Sequence, residues 1–187
     1  MFSFAHNRLV PERKHAMKTT FTRSLTLAAA MAASGLAGAQ ETNQPVMVEI
    51  KKLSMDTALR IAKTAIDACR EQGVQVAVTV VDRGGHPQVV LRDVLAMDLS
   101  LEVSYRKAYT AMTFTSPTSS LEDRFTGPFS VGKVEKVLLS AGGVPIQASG
   151  ETVGGVGVSG APSGETDEMC AQAGVAEVEM DLEMASF

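Results

Sequence analysis

The stretch GGVGVSGAPSGETDE places Gly155, Gly157 and Gly160 in a G-x-G-x-x-G spacing. That spacing lets a backbone turn cradle the pyrophosphate of a dinucleotide. GAPSG then leads into a helix start, whose free N–H groups suit an anion. Other chemistries are closed by residue supply. Of three histidines only His86 lies beyond the first 39 residues, and the two cysteines, Cys69 and Cys170, are far apart. One imidazole and two distant thiols cannot build a four-ligand zinc site. Neither a G-x-S-x-G elbow nor a Cys-His-Asn set is present for nucleophilic catalysis.

The N-terminal region reads as an address rather than as fold. Met1 and Met17 each offer a start. From Met17, Lys18 and Arg23 precede a small apolar run, Leu25 to Leu36, and Ala37-Gly38-Ala39 fits the small-x-small rule. This predicts a signal peptide cleaved after Ala39, with residues 1–39 as leader and residues 40–187 as a single domain. The run falls short of the roughly 18 residues a membrane span needs. Cleavage removes five of 17 Lys/Arg and one of 21 Asp/Glu, leaving 12 bases against 20 acids, a net charge of −8. An acidic domain of this kind is a poor partner for nucleic acid or anionic membranes. A periplasmic or secreted location follows, and there two cysteines can pair. A Cys69–Cys170 bridge and two buried free thiols both remain open.

The elements that must position any site are legible from period and punctuation. Ser54 caps a helix over about 54–72, with Met55, Leu59, Ala62, Ile66 and Cys69 at helical spacing and Gly73 at its end. VQVAVTVVD (74–82) and PQVVLR (87–92) flank the turn RGGH and predict a hairpin. Asp98 starts a second helix, with Leu101, Tyr105, Ala108, Tyr109 and Met112 on one face. Residues 113–132 read as a loop with a helical turn near Leu121. VEKVLLS (134–140), VPIQAS (144–149) and TVGGVGVS (152–159) predict three more strands. Ser163 caps a last helix, with Met169, Ala173, Ala176 and Met180 facing inward. Short turns force antiparallel neighbours, so the expected fold is α+β: a five-stranded antiparallel sheet with packed helices.

That order removes the dinucleotide reading. A Rossmann fingerprint needs a crossover and a second parallel strand after the glycines, and only a helix follows Gly160. Within TVGGVGVS, Val156 and Val158 face one way, while Gly155 and Gly157 leave the other face as bare backbone. Such a face admits a helix, a ligand or a neighbouring subunit.

VTVVDRGGHPQVVLR, RKAYTAMTF, and GGVPI followed by GETVGGVGVSGAPSGETDEMCAQAG together resemble the GlcG/HbpS family of haem-binding proteins, over about residues 48–182. The same module resembles the C-terminal domain of PduO-type corrinoid adenosyltransferases. The resemblance implies a profilin-like fold, homo-oligomers, export, and haem or a related tetrapyrrole as ligand. Haem iron takes His, Met, Tyr or Cys. His86 is then the candidate iron ligand, with turn support as its plain alternative, and Met97 is a soft alternative ligand. Arg92 is placed to pair with a propionate. Tyr105, Tyr109 and Met112 can line the pocket or pack as core. Lys107 can hold a carboxylate or pair with Asp98 or Glu102. Two functions follow from these residues. One is an exported haem-binding homo-oligomer for capture, buffering or sensing. The other is a protein acting on a small carboxylate such as glycolate, with Lys107 and Arg92 binding the acid and Asp82 or Asp93 as base.

Overall fold

A computed structural model describes residues 45–185. The leader and its cleavage site lie outside the described residues. Contacts divide the chain after Met47, and the unit from Val48 onward carries every element below.

Those elements are α1 (Met55–Glu71), β1 (Ala77–Asp82), β2 (Pro87–Arg92), α2 (Leu99–Phe114), β3 (Gly143–Ala148), β4 (Glu151–Ser159), α3 (Gly164–Ala176) and α4 (Glu179–Met184). Short 3-10 turns occupy 118–121 and 131–133. The sheet order is β2-β1-β4-β3, antiparallel throughout. It has four strands, not the five expected. VEKVLLS forms turns instead, because helix α2 claims its backbone. Leu138 N–H donates to Thr110 Oγ1 at 2.9 Å, and the Val137 carbonyl accepts from Arg106 at 3.0 Å.

Helix caps form where the side chains predict them. Ser54 Oγ accepts from Thr57 N–H, and Ser163 Oγ accepts from Thr166 N–H. Asp98 makes no such side-chain cap. The inner face of α1 is Ala58, Ile61, Ala62, Ala65, Ile66 and Cys69; Met55 and Leu59 are exposed. With Cys170 and Ala171 of α3, this face covers Val78, Val80, Val156 and Val158 and forms the main core. Cys69 and Cys170 are joined as a disulfide, S–S 2.07 Å, tying α1 to α3 across 101 residues. The open choice between bridge and free thiols is thereby settled.

Helix α2 packs on the sheet's opposite face, and here the bare backbone of β4 finds its occupant. A Cβ on Gly157 would stand 2.1 Å from Ser104 O and 2.5 Å from Ala108 N; one on Gly155 would stand 2.5 Å from Ala108 O. The helix backbone therefore lies almost on the strand backbone. Only small or slim groups fit at such a contact, so α2 buries Ser100, Ser104, Ala108 and Ala111, with Thr79 Oγ1 and Ser104 Oγ hydrogen-bonded at 2.9 Å. The expected inward stripe of Leu101, Tyr105, Tyr109 and Met112 is only half-buried, flanking the contact. The buried face of α3 also differs from the expected one, and Met180 falls on α4. Asp167, Glu168, Cys170, Ala171 and Gly174 are inside, while Met169 and Met180 are exposed.

Candidate functional site

The hairpin turn is built around one carboxylate. Asp82 Oδ1 accepts from Gly84 N–H at 2.8 Å and from His86 N–H at 3.0 Å. Burial works against ionisation of Asp82, but these two donors and nearby positive charge outweigh it and hold its pKa below the ordinary value. His86 leads out of this turn with its side chain 82% exposed and Nδ1 3.5 Å from Asp82 Oδ1. A carboxylate behind one ring nitrogen orients an imidazole and leaves Nε2 facing outward.

The turn rests on α2. Gly85 has φ +79°, and a Cβ there would meet the Tyr109 ring at 2.7 Å and Met112 Cε at 3.1 Å. Tyr105 lies one helical turn back, its ring centroid 6.3 Å from that of Tyr109 and tilted 53°. Lys136 Nζ stands 5.6 Å above the Tyr109 ring. Tyr109, Tyr105, Met112 and Lys136 thus gather where the hairpin turn, α2 and the 131–138 segment meet; His86 instead turns to Asp82, which pairs with Lys52 and stands opposite Gly154, on the α1 face of the sheet. Sequence reasoning missed Lys136, because a strand at 134–140 would not have laid it on α2.

The other predicted residues lie elsewhere. Arg92 closes β2, six residues from His86, which at strand rise is about 20 Å away; its Nη1 donates to Ala96 O at 2.6 Å. Met97 is in the same far loop, 65% exposed. Lys107 points into the protein rather than to this surface. Its Nζ is 2.8 Å from Asp167 Oδ2 and 3.1 Å from Val158 O, and both members of the ion pair are 4% exposed. Burial raises the Asp167 pKa, with Lys107 pulling against it. The expected partners, Asp98 or Glu102, are not the ones used. Asp93 is likewise committed, accepting from Arg70 Nε at 3.1 Å. Lys107, Arg92, Asp82 and Asp93 therefore do not converge as a carboxylate-processing set.

A cleft of about 390 Å³ opens beside the N-terminus of α1, between Lys52, Ser54, Thr57, Ala148, Val153 and Leu182. None of the six predicted site residues lines it. Among the described residues no group of three His, Cys, Asp or Glu is placed to hold a metal ion, and no helix is long and apolar enough to cross a membrane.

Comparison with known proteins agrees with this architecture. A family model described as haem degrading protein HbpS-like matches residues 53–176. A crystal structure of HbpS is 38% identical, with a TM-score of 0.68, covering 71% of this chain and 94% of that one. A crystal structure of a PduOC–haem complex is 29% identical, with a TM-score of 0.61, covering 67% of this chain and 94% of that one. The corrinoid adenosyltransferase PduO of Salmonella typhimurium is 29% identical over 131 residues, which are 67% of this chain but only 39% of that protein.

Proposed function

The chain belongs to the HbpS-like family, and on that premise we propose that it binds haem through His86 at the β1–β2 hairpin turn. The observation that carries this reading is the hairpin turn, which displays an exposed imidazole with a carboxylate 3.5 Å from its Nδ1. These residues suit the group. Nε2 of His86 is the donor for iron, and Asp82 stands behind Nδ1. When bound, haem supplies iron-centred ligand and redox chemistry; the chain supplies the seat. Arg92 and Met97 stand outside this seat, and Lys107 anchors α2 from within.

The His86 side chain is exposed, so a ligand held there keeps one face uncovered. The same reading includes homo-oligomerisation, in which a second copy covers that face. The Cys69–Cys170 disulfide supports export to an oxidising compartment. Capture or buffering of haem there requires only reversible binding.

Titration with haemin tests this. The chain has two tyrosines and no tryptophan, and both tyrosines lie on α2. Stoichiometric addition is expected to give a saturable Soret shift together with quenched tyrosine fluorescence. His86→Ala is expected to weaken binding by roughly tenfold or more and to alter the spectrum. Absence of any saturable change overturns the haem reading; an unaltered His86→Ala spectrum places the iron ligand elsewhere. A clean monomer in sedimentation, with and without haemin, removes the oligomer.

A further inference from the structure

The carboxylate behind His86 is shared. Asp82 Oδ1 stands 3.5 Å from His86 Nδ1, and Asp82 Oδ2 stands 3.8 Å from Lys52 Nζ. One carboxylate therefore joins an exposed imidazole to an ammonium. Lys52 also lines the cleft of about 390 Å³ at the start of α1. The wall of that cleft continues to the hairpin. Asp82 lies opposite Gly154 in the β1–β4 ladder, and a Cβ on Gly154 would meet Leu53 Cδ1 at 3.0 Å. Leu53 and Val153, the residue before Gly154, are buried and line the cleft. Gln88 Nε2, two residues beyond His86, donates to Leu53 O at 3.1 Å. The imidazole and the cleft are thus neighbours on the α1 face of the sheet, and Lys52 is common to both.

We infer that Lys52 is a specificity-determining residue: it receives a carboxylate arm of the macrocycle held at His86, at the rim of the cleft, and selects acidic tetrapyrroles over neutral ones. The inference rests on the haem reading above and deepens it. The contact of Lys52 with Asp82 is loose. At 3.8 Å it exceeds hydrogen-bond reach, and the lysine side chain is 64% exposed. Such a pair contributes little, so a better-placed carboxylate can draw the ammonium to itself. Leu53, Ala148, Val153 and Leu182 give the cleft an apolar part. Apolar walls with a cation at the rim suit an apolar ring edge that carries an acid. The chain as a whole carries a net charge of −4, so a dianionic ligand gains from a local positive group.

The test compares haemin with haemin dimethyl ester, which keeps the iron and the ring but lacks the two acidic groups. With the full protein, haemin is expected to bind roughly fivefold more tightly than the ester, the scale of one exposed charge-assisted contact. Lys52→Gln is expected to remove that preference while leaving the Soret position of bound haemin unchanged. Lys52→Arg is expected to restore it, and Lys52→Glu to reverse it. Lys136→Gln is the control, because Lys136 stands over the Tyr109 ring on α2, and it is expected to keep the preference. If haemin binds saturably but Lys52→Gln retains the full preference, or Lys136→Gln loses as much of it, the inference is overturned and the haem reading stands. Equal binding of the two compounds by the wild-type protein has the same meaning. If the wild-type protein binds neither compound, both fall together. Lys52 is exposed, and unchanged far-ultraviolet dichroism of the variants separates loss of the contact from loss of fold.

Discussion

Replacing Gly157 by alanine puts the backbone-to-backbone seat of α2 under direct strain. The new methyl group would stand 2.1 Å from Ser104 O and 2.5 Å from Ala108 N, where ordinary contact begins near 3.4 Å. Both obstacles are main chain, so no side chain can swing aside and α2 must retreat by about 1 Å. Overpacking of this kind costs about 3 kcal/mol, against which the gain from replacing glycine in a strand interior is under about 1 kcal/mol. With a urea dependence of about 2 kcal/mol per molar, a net loss of 2–3 kcal/mol lowers the unfolding midpoint by about 1–1.5 M. The assay has a local probe. Both tyrosines of the chain, Tyr105 and Tyr109, are on α2 and there is no tryptophan, so near-ultraviolet dichroism reports the seating of this helix. Gly157→Ala is expected to weaken that signal in the still-folded protein. Gly127→Ala is the control, since a Cβ there meets nothing within 4 Å, and it is expected to stay within about 0.5 kcal/mol of wild type. A Gly157→Ala protein as stable as that control, with an unchanged aromatic signal, would refute the close-packing argument.

Three further outcomes follow from the structure. Breaking the Cys69–Cys170 bond, by reductant or by paired alanine substitution, should cost about 4–5 kcal/mol for a loop of 101 residues; a urea midpoint moving by less than the equivalent of about 1 kcal/mol contradicts this. Lys107→Met leaves Asp167 buried without its cation and should cost about 3–5 kcal/mol, most of which a Lys107→Met, Asp167→Leu double variant recovers. Calorimetry that finds the double variant no better than the single one refutes the pairing. Asp82 has a folded pKa below its unfolded value of 3.8, so the unfolded chain binds more protons there. Its contribution is fully present above pH about 4 and is lost as pH falls through the lowered value. Asp82→Asn should flatten that part of the acid stability profile, and an unchanged slope rules the contribution out.

The parts of the fold legible in the sequence are those decided within a few residues. Ser54 and Ser163 cap helices whatever lies beyond them, and Gly84-Gly85 between two β-branched runs fixes the hairpin. What escaped was decided across the chain. Residues 134–140 have strand composition, yet Arg106 and Thr110 bind their backbone first. The bare face of β4 was readable, but its complement on α2, the run Ser100, Ser104, Ala108 and Ala111, was outweighed by larger apolar residues beside it. A helix laid on glycine backbone buries its smallest stripe, which reverses the usual inside-out rule. Asp167 and Glu168 are buried only because Lys107, Ser119 and Gly142 meet them from distant segments. The hairpin histidine and the tyrosine pair were visible as local text, whereas Lys136 reaches the Tyr109 ring only through the folded loop.

The disulfide also sets a clock. Cys69 is made 101 residues before Cys170, which at ordinary synthesis rates is roughly 5–20 s. Throughout that interval its natural partner does not exist, and any thiol it meets belongs to another molecule. The native bond can close only after β1 to β4 have all been made. A chain linked within itself has therefore been made at least as far as Cys170, and a mixed dimer joined through Cys69 is the signature of a chain oxidised too soon.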